Sequence, residues 1–113
     1  EALDVAKGYD TLSDAIAHAT TANLPNADAP YDFVVNTKVI GDTTTHIWGE
    51  ILTADTATAA NDLDFGNWSD INGGTTKFKG LNVGSYIVIA LANSNTADGE
   101  TDVAYYAYHI NNK

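Results

Sequence analysis

The stretch Thr75–Asn93, TTKFKGLNVGSYIVIALAN, constrains the fold more than any other part of this chain. Side chains on a strand alternate faces with a period of two, so Ser85, Ile87, Ile89 and Leu91 project to one side and Tyr86, Val88, Ala90 and Ala92 to the other. Both sides are apolar. Such a run, rich in Ile, Val and Tyr and bounded by Gly84 and Asn93-Ser94-Asn95, is too short and too β-branched for a typical helix. It reads as a central strand, and a sheet has to be built around it.

Ahead of that strand, Thr11 and Asp14 have capping-box spacing, and Leu12, Ala15, Ile16 and Ala19 form a helical apolar stripe. The pattern predicts one helix over about 11–22, closed by Asn23 and by a loop whose Pro25 and Pro30 cannot continue it. Tyr31, Phe33, Val35 and Val39 then alternate with Asp32, Asn36 and Lys38, which predicts a half-buried strand ending at Gly41-Asp42. Residues 43–54 predict a second strand, with His46, Trp48, Glu50 and Leu52 on one face and a bulge at Gly49. Residues 55–74 show no sustained period and read as a long loop. Past a polar turn at 96–101, residues 102–110 predict a last strand, VAYYAYHI at its core. Short connections between these strands predict antiparallel pairing, because a parallel pair needs a long crossover.

At 113 residues the chain is expected to form one domain, 1–113, with a single core. Fifteen acidic residues against five lysines give a formal charge of −10. That balance argues against nucleic acid or an anionic membrane as partner, since phosphate binding needs clustered cations. No apolar run of membrane-spanning length is present, and the piece is read as a soluble one that does not insert into a membrane. Cys and Met, the easily oxidised residues, are missing. An extracellular, cell-surface location is the expectation.

Few residues carry chemistry. His18, His46 and His109 have no ligand-like spacing, and no serine stands in a nucleophile-elbow context. Glu50 is the acid inside a strand, and a glycoside hydrolase would need a second carboxylate to converge on it. Asp62, Asp64 and Asp70 lie in a stretch with oxygen ligands at alternate positions, which makes them the candidate calcium ligands; otherwise no cofactor is expected. Asn67-Trp68-Ser69 is an N-glycosylation acceptor pattern at Asn67. Trp48 and Trp68 are the aromatic platforms on which a surface glycan could stack.

Phe78, Leu81, Gly84 and Tyr86, in F-K-G-L-N-V-G-S-Y-I-V, resemble the F-x-G-L-x-x-G-x-Y-x-V stretch of the Cna B-type, prealbumin-like modules of Gram-positive surface proteins and pilins. The closing Tyr108–Lys113 looks like the family's last strand, whose Asn bonds covalently to a lysine of the first. The resemblance implies Lys7 as the amine, Asn111 as the amide and Glu50 as the assisting acid. The order of a helix followed by an antiparallel sheet is also similar to the soluble part of a type IV pilin. What these likenesses imply is a mainly β, antiparallel Ig-like or prealbumin-like sandwich with one N-terminal helix. The expected role is a non-catalytic subunit of an extracellular filament, or a surface adhesin module; a carbohydrate-binding module and a small secreted hydrolase are the alternatives. Edge strands with little protection from lysine or proline predict homopolymers built by strand complementation, with the chain ends, above all residues 1–7, as donors.

Overall fold

A computed structural model describes residues 8–24, 31–34, 48–67, 69–70, 75–78, 82–91 and 103–112. The elements, in chain order, are α1 (Leu12–Ala17), β1 (Thr20–Leu24), β2 (Tyr31–Val34), β3 (Trp48–Ala54), α2 (Ala57–Asn61), β4 (Ser69–Asp70), β5 (Thr75–Phe78), β6 (Tyr86–Leu91) and β7 (Ala104–Asn112). The fold is mainly β. Its principal sheet has the order β1-β7-β6-β3-β4, in which β4 is a two-residue stub, and β2 and β5 form a separate two-stranded sheet.

β6 is the centre of this sheet, antiparallel to β3 on one side and to β7 on the other. All six of its residues are buried, which is why the sequence has no polar face there. The face bearing Tyr86 and Val88 packs against Ala15 and Ile16 of α1, Ala60 of α2, Ala54 and Ala107. On the other face Ile87, Ile89, Tyr108 and Ile110 are equally buried, so both sides of the sheet are covered. None of the helices described is long and apolar enough to cross a membrane.

The corner before β6 follows from its glycine. Ser85 N–H bonds the Asn82 carbonyl at 3.0 Å, and Gly84 takes φ +94°, the geometry of a type II turn with glycine third. Gly84 N–H donates to the Ile110 carbonyl while Ile110 N–H donates to the Ser85 carbonyl, both at 2.8 Å. Two residues therefore oppose one, which is a G1 bulge.

Several expectations change. The bulge expected at Gly49 is not there, since Gly49 pairs in step with both Leu91 and Ser69. Its glycine is required by close approach instead: a Cβ would run into the Ala90 carbonyl oxygen and lie 2.8 Å from Leu91 Cδ2. The helix expected over 11–22 stops at Ala17 and the chain re-enters as β1. Thr11 does cap it, its hydroxyl accepting from Asp14 N–H at 3.1 Å, and Leu12, Ala15, Ile16 and Ala19 all pack on the core, Ala19 from beyond the end of the helix. The β-branched Thr20-Thr21 pair favours a strand, and backbone pairing with β7 outweighs another helical turn.

Among the described residues, all-antiparallel pairing fails at one pair: β1 runs parallel to β7, Thr20 opposite Tyr108 through Leu24 opposite Asn112. The crossover argument does not reach this pair, because nearly the whole chain separates its members. β2 pairs antiparallel with β5, not with its sequence neighbour β3. The stretch 55–74 is not a plain loop, for Thr56 caps α2 by accepting from Ala59 N–H at 3.0 Å, and β4 follows. Of the strand expected at 31–39, residues 35–39 lie outside the described ones, as do 43–47.

Candidate functional site

The outer edge of β7 is where the segment from Tyr9 to Leu24 meets a strand some ninety residues later. Tyr9 reaches it first, exchanging two backbone bonds with Tyr105: Tyr9 N–H to the Tyr105 carbonyl at 2.9 Å and the reverse at 2.8 Å. The chain then lifts off the edge as α1, packs Ala15 and Ile16 into the core and returns as β1 beside residues 108–112 of β7. Gly8 runs close beside Tyr106, since a Cβ there would stand 2.9 Å from the far end of the Tyr106 ring and its hydroxyl. His18, at the end of α1, stacks on Tyr9 with ring centroids 5.4 Å apart. Segment 8–24 thus grips the last strand at two points, with a short helix between them.

Residue types explain the grip. β1 reads Thr-Thr-Ala-Asn-Leu, with no charge and no proline inside it. Ala22 is 1% exposed and lies opposite Ile110, so the strand buries its small face and keeps Thr21 in solvent. A six-residue helix is too short to hold itself together, and α1 owes its existence to the core side chains it places under β7 and α2.

A second arrangement closes the opposite flank. Glu50 on β3 accepts two backbone N–H groups through one carboxylate oxygen, from Gly66 at 3.0 Å and from Asn67 at 3.1 Å. This ties the segment after α2 down over the sheet. Leu63 and Phe65 pack on the core, and the Phe65 ring lies 5.9 Å from that of Tyr105 at a tilt of 59°. Register sets Glu50 opposite Ala90 and Ala90 opposite Tyr105, so the loop spans one row of the sheet from β3 to β7. Tyr105 is therefore touched from both flanks.

The candidate residues fall apart into separate places. Asp62 closes α2 and is exposed, as is Asp64; Asp70 stands on β4 opposite Trp48. Among the described residues no three His, Asp or Glu side chains gather. Lys7 and Trp68 lie outside the described residues, as does His46. Asn111 pairs with Asn23 near the end of β7, six residues along from Tyr105, the residue in line with Glu50. At about 3.4 Å per residue this puts Asn111 roughly 20 Å from Glu50, so the register does not bring the expected acid to the expected amide. Asn67 is exposed, and its backbone N–H is held by Glu50. His109 stacks face to face on Tyr86, centroids 4.4 Å apart.

Sequence reasoning missed Tyr9, Tyr105 and the 20–24 ladder as a unit. The available signal was the Thr20-Thr21 pair at the end of a helical stripe. The chain matches no family model, no curated protein and no solved structure.

Proposed function

We propose that this chain is a non-catalytic structural subunit of an extracellular filament, a homopolymer displayed at a cell surface in the manner of a pilin or adhesin module. In this reading its two sheets stack as an Ig-like or prealbumin-like sandwich. One observation carries it: the last strand, β7, is completed at its outer edge by the first strand, β1, which is parallel to it and is its most distant partner in sequence. A sheet edge completed by a strand distant in sequence is the kind of edge that a strand from another subunit can complete through main-chain hydrogen bonds. Composition agrees with exposure to an oxidising exterior, for the chain has no Cys or Met and a formal charge of −10 keeps its surface solvated.

Negative-stain electron microscopy with light scattering over a concentration series tests this. Ordered fibres of uniform width, growing in number with protein concentration, are expected. A chain that stays monomeric up to millimolar concentration sinks the reading.

A further inference from the structure

We propose that segment 8–24 is exchanged between copies, the β1 of one subunit seating beside the β7 of the next in the register now seen within one chain. This rests on the filament reading and names the piece that would join the subunits. It differs from the sequence expectation, which placed the donors at the chain ends, above all in residues 1–7.

Three observations lead to it. First, 8–24 behaves as a unit attached along one line. Its backbone pairs with β7 at Tyr9 and at Thr20–Leu24, and α1 between them packs on β7 and α2. Second, the strand that follows β1 belongs to another sheet, because β2 pairs with β5. Beyond the segment that joins them, no backbone ladder ties β1 to its sequence neighbour. Third, that joining segment is Pro25-Asn26-Ala27-Asp28-Ala29-Pro30, with proline at each end. Proline carries no amide N–H, so neither end of this sequence can donate to a ladder.

The energetics favour one occupant. Every copy offers the same β7 edge, so an exchanged unit makes the hydrogen bonds that the closed chain makes, and buries the same Ala15, Ile16 and Ala22. Closed and exchanged forms then differ chiefly in the joining segment and in the entropy of association, and protein concentration decides between them. Because each subunit gives its own segment and receives another's, the contact is head-to-tail and propagates when its rotation does not close a ring.

The absence of cysteine makes the test direct. Thr21 and His109 are register partners, with Thr21 exposed and His109 half-buried. Strands about 4.8 Å apart place paired Cα atoms within the roughly 4.4–6.8 Å a disulfide spans. Full-length Thr21→Cys and His109→Cys proteins are unfolded, mixed, refolded together at high concentration and oxidised. Exchange predicts a disulfide-linked two-chain band in the mixture whose peptide map joins position 21 of one chain to position 109 of the other, a linkage that neither protein alone can form. The double variant in one chain is the control: closed molecules give one-chain disulfides, and exchanged ones give a ladder on a non-reducing gel. If these substitutions prevent folding, judged by circular dichroism of the reduced proteins, Asn23→Cys with Asn111→Cys probes the same ladder. Fibres with only one-chain disulfides overturn the exchange and leave the filament reading standing. Neither fibres nor a mixed band overturns both. A double variant that folds but forms no disulfide overturns the β1–β7 register and the proposal with it.

Discussion

The two flanks of β6 are closed by different means. On the β7 side, a segment from the start of the chain is held by backbone: a five-residue parallel ladder and the two bonds between Tyr9 and Tyr105. On the β3 side, the segment 62–67 is held by one side chain, Glu50, together with the packing of Leu63 and Phe65. A ladder resists point mutation because no side chain carries it. A latch made by one carboxylate opens when that carboxylate changes. The same sheet thus has an edge closed by a backbone ladder and a face covered by a segment that one carboxylate latches, and Tyr105 lies where the two coverings meet.

The largest effect is expected where the flanks are not independent. Ile89 is fully buried at the middle of β6, paired with Ile51 on one side and Tyr106 on the other. Ile89→Ala removes packing from both, and should cost roughly 2–5 kcal/mol in denaturant melts. Amide exchange should speed up on both flanks together. A loss under about 1 kcal/mol would show that β6 is not the shared core strand.

Glu50→Gln separates the flanks. The neutral amide still offers one acceptor oxygen but loses the charge-assisted character of both bonds. Since Gly66 and Asn67 are exposed and water can replace the lost partner, the expected cost is about 1 kcal/mol. Hydrogen exchange should show the amides of Gly66 and Asn67 opening about fivefold faster, with the Thr20–Leu24 amides unchanged. Equal acceleration on both flanks would mean that the coverings are coupled through Tyr105 and that the comparison above is wrong.

Local signals in the sequence led to the centre of the fold and stopped short of its edges. β6, the glycine corner and the capping role of Thr11 each depend on residues within a few positions of one another, and each was legible. The parallel β1–β7 pair was not, because the residues that decide it lie nearly ninety positions apart. Thr20 and Thr21 carry strand preference, yet the preceding apolar stripe from Leu12 to Ala19 reads as helix and continues smoothly into them. Gly49 was legible as a special position and misleading about its cause: alternation cannot tell a bulge from the close passage of Ala90. Glu50 stood out as the acid within a strand, but its partners are backbone N–H groups, which every non-proline residue has and which no residue pattern announces.

Ser85 gives the smallest expected effect and the sharpest contrast with Glu50. Both are polar residues beside the core, Glu50 on β3 and Ser85 at the corner before β6, but Glu50 is satisfied twice, while the Ser85 hydroxyl has no hydrogen-bond partner among the described residues. Ser85 is 1% exposed and opposes Ile110, next to the bulge at Gly84. Its backbone is fully used, the N–H by Asn82 and the carbonyl by Ile110. Burying a hydroxyl without a partner costs on the order of 1–3 kcal/mol, and Ser85→Ala removes that cost while leaving a void of about one oxygen atom. The two nearly cancel, so the variant should be neutral or more stable by up to about 1 kcal/mol, read as a raised denaturant midpoint at constant slope. Ser85→Val adds methyl groups where the strand passes Ile110 and tests whether the site has room, as overpacking destabilises a filled core. A loss above about 1 kcal/mol in Ser85→Ala would show that the hydroxyl is held after all, and that the β7 flank, like the β3 flank, depends on a polar side chain.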